Sequence, residues 1–402
     1  MRRVVITGMG CVTPIGIGIN VFTRSLFEGK QDFLPVEGRA HGEISFHYIA
    51  QVKDFDARSL LSAEQILLSE RSSQFVLVAA REAIAQSGLL ESIDRNKMAV
   101  VFGCSAGGRT AEEPALEKLY VEKKRVHPLI VPRSMASLGT SLVSIEYGIT
   151  GPCYTVSTAC ASSTHAIGQA FHMVRSGMVD GAITGGHEAP LTYGFLKAWD
   201  SLRVVSPTVC RPFSIDRDGI TLGEGAGVLI LENLEHAQAR GAIILGEIVG
   251  FGMSSDAQHM TQPKSEGAAG AMRLALYDSG STEKDVCYIN AHGTGTLLND
   301  AMEAEAIRMI FGNATMQVPV SSTKSMHGHA MGASGAMEAI ATVLALRQGH
   351  LPATAGNIHV QENLAIDVIT RESRTCWPGI ALSNSFAFGG LNAVVAFRTF
   401  QV

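Results

Sequence analysis

Short β-branched, apolar runs alternate with amphipathic helical stretches along the whole chain, and several of these units recur in the same order. Val4-Val5-Ile6-Thr7 reads as a first strand. Residues 79–88 read as an amphipathic helix closed by a C-terminal glycine, and residues 271–280 repeat that pattern. Each is followed by a short apolar strand running into glycine, at 98–103 and again at 286–293. The helical stretch 163–177 has a counterpart at 335–349; these lead towards Gly185-Gly186 and Gly389-Gly390. Val4-Ile6-Gly8-Met9 is echoed by Ile248-Val249-Gly250-Phe251. Four echoes in one order predict α/β layers built from two similar halves, residues 1–245 and 246–402.

The remaining bulk properties narrow the class. A hydrophobic fraction of 46% with only 17% charged residues describes a globular chain, and a net charge of −5 argues against a nucleic-acid binder. No run approaches a membrane span, and the opening strand is too short and too β-branched for a signal peptide. Seven cysteines without a CxxC pair fit a reducing, cytoplasmic setting.

Cys160 lies where the β-rich run 154–159 gives way to a helix-patterned stretch, 161–171. A thiol at the first turn of a helix faces unpaired N–H groups and the positive end of the dipole, which should lower its pKa from about 8.5. Small neighbours, Ala159, Ala161 and Ser162, leave the sulfur approachable, as for a nucleophile on a strand-to-helix elbow. In the second half three polar clusters each end an apolar run. They are Asn290-Ala291-His292-Gly293-Thr294-Gly295-Thr296, the stretch 321–329 with Lys324, His327 and His329, and the stretch 383–390 from Ser383 to Gly390. Strand C-terminal edges are where α/β sheets place ligands.

With these clusters assembled, the chain resembles a β-ketoacyl-acyl carrier protein synthase of the elongating (type I/II) branch, over essentially its full length. The resemblance rests on Thr158-Ala159-Cys160 with Ser162, on His292-Gly293-Thr294-Gly295-Thr296, on Lys324-Ser325-Met326 with Gly328-His329, and on Asn384 to Asn392. It implies the thiolase fold, five αβαβα layers from two duplicated halves, usually as a homodimer. It further implies decarboxylative condensation of a malonyl thioester with an acyl group on Cys160. By the same resemblance His292, His329 and Lys324 would be the other catalytic residues, and the N–H groups of Cys160 and Phe388 would form an oxyanion hole. The resemblance also implies that Thr294 and Thr296 bind the pantetheine arm, that Asp300 and Glu303 support Lys324 with Glu338 also behind the site, and that Arg203 helps dock an acyl carrier protein. No cofactor is bound and no metal is catalytic; Asn290, Glu338, Ser383 and Asn392 match positions that hold a monovalent cation in some relatives.

Departures from the family pattern point to a specialised substrate. The segment 63–68, basic in housekeeping elongases, is largely apolar here, although Arg203 and Lys123-Lys124-Arg125 remain. Ala106 replaces a bulky residue at the end of the acyl pocket, Ala387 replaces glycine in the gating loop, and Leu391 replaces threonine. The expected substrate is therefore a specialised lipid, polyene or polyketide-like chain on a dedicated carrier. Other readings stay open: an active subunit paired with an inactive chain-length partner, or a carrier-binding scaffold. A thiolase needs a second catalytic Cys, and Cys376 lacks the glycine-rich setting. A zinc site from His292, His327 and His329 lacks an acidic or Cys ligand at a zinc-like interval.

Overall fold

A computed structural model describes residues 1–356 and 358–401, with residue 39 by its backbone alone. Its main sheet runs through twelve strands: β1 (Val4–Thr13), β2 (Gly16–Ile17), β3 (Met98–Gly103), β4 (Cys153–Val156), β5 (Gly181–Glu188), β6 (Gly225–Asn233), β7 (Gly246–Ser255), β8 (Val286–Asn290), β9 (Pro319–Ser321), β10 (Asp367–Val368), β11 (Ile380–Ala387) and β12 (Leu391–Arg398). The spatial order is β10-β9-β8-β11-β12-β7-β1-β6-β5-β3-β4, with β2 against β1.

This path contains the same group twice. The order β1-β6-β5-β3-β4 pairs antiparallel, antiparallel, parallel, parallel. The order β7-β12-β11-β8-β9 repeats those four relations. The groups meet where Val4–Ile6 of β1 runs antiparallel to residues 246–248 of β7.

Helices complete the layers. Two central helices, α2 (Ser162–Ser176) and α6 (Ser334–Gln348), pack on each other and on strands of both groups. Outside lie α1 (Arg71–Ser87) against β1 and β6, and α4 (Ser265–Ser279) with α5 (Leu297–Phe311) on the other face. A further helix, α3 (Tyr193–Leu202), borders the site. The central helices are buried nearly all round, as helices covered by both strand groups of the sheet must be. The echoed helices end alike, at left-handed Gly88, Gly177, Gly280 and Gly349. Close layering also depends on Gly103: a Cβ there would sit 2.2 Å from the backbone N of Ser163, so a side chain would push α2 off β3. The duplicated layers predicted from the echoes are thus present.

Candidate active site

The turn into α2 places Cys160. Ala159 adopts φ 48°, a left-handed conformation that costs a non-glycine residue about 1–2 kcal/mol, and Ser162 Oγ ties the turn by donating to the Ala159 carbonyl at 2.6 Å. The sulfur is buried, with 8% of the residue exposed. Burial pushes its pKa up to about 11, against a downward pull from the Lys324 charge. That corrects the expectation of a lowered pKa: desolvation outweighs the helix terminus, and the sulfur rests as a thiol.

His292 follows β8 and His329 follows the short helix Lys324–His327. Their rings stand edge to face, centroids 5.4 Å apart. One ring nitrogen of each and the Cys160 sulfur lie within 4.8 Å of one another. Burial first, then the Lys324 charge, holds both imidazoles well below their ordinary pKa, so both are neutral. Lys324 is itself wholly buried; its ammonium lies 3.4 Å from His292 Nδ1 and forms an ion pair with Glu338. His329 Nδ1 contacts Ser334 Oγ at 2.8 Å. Each Nδ1 is therefore engaged away from the sulfur.

Behind the histidines the acids are arranged differently from expectation. Glu303 does not contact Lys324; it accepts the backbone N–H groups of His292 (2.9 Å) and Gly293 (2.7 Å) and the amide of Asn384 (3.1 Å). Asp300 accepts from the N–H groups of Phe213 (2.7 Å) and Gly295 (3.2 Å) and lies 3.6 Å from Arg217. Glu338 alone of the three pairs with Lys324. Sequence reading missed the clamp by Glu303 on the His292 turn, whose only signal was an acid eleven residues on, facing back along α5.

A cavity of about 270 Å³ leads to Cys160, His292 and His329. Thr294 and Thr296 line it, their hydroxyls 3.0 Å apart, and Arg203 stands exposed at its rim. Phe388 lines it too, on the tight link between β11 and β12, stacked on Trp199 of α3 (5.9 Å, 16°). Gly389 in that link donates its N–H to the Met260 carbonyl at 2.7 Å. Ala106 is not among the described residues that line this cavity; its N–H donates to buried Glu188 at 3.0 Å. His327 turns elsewhere, its ring nitrogens 3.0 Å from the Gly328 carbonyl and from Thr323 Oγ1. Asn392 stands apart from the other residues matched to a cation site, donating to Asp256 at 2.7 Å. Cys376 lines no part of the cavity.

Residues 1–237 match the family described as "Beta-ketoacyl synthase, N-terminal domain", and residues 245–357 match "Beta-ketoacyl synthase, C-terminal domain". The chain belongs to the β-ketoacyl synthase family. It is an acyltransferase of the 3-oxoacyl synthase type with the thiolase fold. The synthase is 41% identical over 401 residues to Nodulation protein E of Rhizobium sp. (strain N33), covering 99% of each chain. It is 38% identical over 409 residues to 3-oxoacyl-[acyl-carrier-protein] synthase 2 of Staphylococcus aureus (strain COL), covering 100% of the synthase and 99% of that relative. Among solved structures, the ishigamide ketosynthase/chain length factor superposes with a TM-score of 0.95 at 33% identity, covering 100% of both chains. Among the described residues no helix is long and apolar enough to cross a membrane.

Proposed function

We propose that Cys160 holds the acyl chain while His292 and His329 draw carbon dioxide out of a malonyl thioester, with both substrates carried on the phosphopantetheine arm of an acyl carrier protein. The observation that carries this reading is the convergence of one thiol and two neutral imidazoles, within 4.8 Å, on the floor of one cavity. In the first half-reaction the Cys160 sulfur attacks the acyl thioester, the pantetheine thiolate departs, and the Cys160 proton ends on that thiol. The N–H groups of Cys160 and Phe388 stabilise the tetrahedral oxyanion, each by about 3 kcal/mol.

In the second, the malonyl thioester carbonyl takes hydrogen bonds from Nε2 of His292 and His329. Loss of carbon dioxide leaves an enolate, whose carbon attacks the acyl-Cys160 carbonyl. The Cys160 thiolate leaves and regains a proton from solvent. Lys324 donates to Nδ1 of His292, which fixes the ring's proton on Nε2, the nitrogen the enolate needs. Thr294 and Thr296 hold the pantetheine arm, and Arg203 meets the acidic carrier at the rim.

The chain divides into halves at 245/246. Strand β4 ends the sheet with an open edge, which suits pairing with a second subunit, either an identical chain or a chain-length partner. Among the described residues, buried polar atoms of Asn290, Ser383, Asn384 and Glu338 have no hydrogen-bond partner, a donor set suited to a monovalent cation with Asn384 in place of Asn392. Leu67 and Leu68 are exposed on the helix Ala63–Leu68, which suits a dedicated carrier and a specialised chain in a cytoplasmic pathway. Turnover tests the assignment: the synthase with acyl and malonyl carriers should release carbon dioxide and a β-ketoacyl carrier in equal amounts. Turnover on housekeeping fatty acyl carriers equal to that of a standard elongase would contradict the specialised substrate.

A further inference from the structure

Cys160, His292 and His329 bring together one sulfur and two ring nitrogens, all buried and within 4.8 Å of one another. Tetrahedral zinc with bonds of about 2.0–2.3 Å spaces its ligand atoms roughly 3.5 Å apart, so closure by no more than about 1 Å would complete three corners. All three residues line the cavity, which gives a fourth ligand or a water access to the site. Thiolate with imidazole is a donor set that selects zinc and similar soft cations. A coordinated sulfur is no longer free to attack a thioester.

Lys324 works against such a site in two ways. An ammonium has no lone pair, so in its 3.4 Å contact with His292 Nδ1 the lysine must donate. The neutral ring then carries its single proton on Nε2, the nitrogen that would have to bind metal. The ammonium also sets a positive charge one ring away from the metal position. Its ion pair with Glu338 holds it there. His329 has no comparable lock, because Ser334 Oγ beside its Nδ1 either donates or accepts.

We propose that Cys160, His292 and His329 form a latent zinc-type site, and that Lys324 is the group that keeps soft divalent cations out of it. Coordination displaces the Cys160 proton to solvent.

The test titrates the purified full-length chain with zinc alone, in competition with a chromophoric chelator, and with cobalt(II) alone as an optical probe. Wild type is compared with Lys324→Met and with Lys324→Met/Glu338→Gln, which leaves no unpaired buried carboxylate. Groups that orient metal ligands change affinity by about 10–100-fold, and here both variants should bind one zinc about 100-fold more tightly than wild type. Cobalt should give a thiolate charge-transfer band in the variants. Adding Cys160→Ser to either variant should remove that band and most of the gain. Equal zinc affinity in wild type and both variants would overturn the proposal, as would a gain that survives loss of the Cys160 sulfur.

Discussion

Glu303 accepts the backbone N–H of His292 at 2.9 Å, and its second oxygen accepts that of Gly293 at 2.7 Å. The carboxylate thereby holds the peptide of His292 rather than its ring. It is fully buried, and burial pushes its pKa up to about 7. Glu303→Ala leaves two buried N–H groups without acceptors, at about 1–3 kcal/mol each. The expected result is a lower melting temperature and a loss of malonyl decarboxylation, with acylation of Cys160 largely kept. Glu303→Gln, which retains acceptor oxygen, should recover part of both. Equal loss of acylation and decarboxylation would argue against a role through His292.

The two histidines should separate the half-reactions. His292→Ala and His329→Ala are expected to lower decarboxylation by about 100-fold or more, since in the proposed mechanism each imidazole donates to the developing enolate. Transfer of an acyl group to Cys160 should persist in both. Release of labelled carbon dioxide and acyl-protein mass measure the two steps independently.

Removing the sulfur should uncouple them in the other direction. Cys160→Ala should show no acyl transfer, and Cys160→Gln should keep decarboxylating malonyl carrier without producing a β-keto thioester. Condensation surviving in either variant would refute the nucleophile assignment.

Alkylation reports how the resting sulfur is held. With a thiol pKa raised to about 11, the thiolate fraction grows about tenfold per pH unit across the neutral range. Modification of Cys160 by iodoacetamide should therefore speed up about 100-fold between pH 7 and 9, with no plateau below pH 10. A plateau near pH 7 would mean that the helix terminus dominates after all.

Ala106 lies outside the cavity that reaches Cys160, so a bearing on chain length requires the acyl tunnel to extend past it once a chain is bound. Its backbone N–H is tethered to buried Glu188. Ala106→Ile should shorten the longest product, read as the chain-length distribution by mass spectrometry.

Much of the architecture was legible because the duplication is written as repeated periodicity, with the same strand and helix patterns and the same closing glycines in each half. The convergence of Cys160, His292, Lys324 and His329 was legible because each sits where an apolar run stops among small residues. Three things were not. The pKa of Cys160 depends on how much protein covers the turn, which no local spacing records. The partners of Glu303 and Asp300 depend on the packing of α5 against the loops it faces. Asn384 and Asn392 lie in one motif, yet β11 buries the first beside Glu303 while the second meets Asp256.

Intact-protein mass spectrometry after exposure to a panel of acyl carriers tests the acyl-enzyme most directly. One acyl group should be added, mapping by peptide analysis to Cys160 and lost in Cys160→Ala. An unmodified protein, or an acyl group on any other residue, would contradict the assignment.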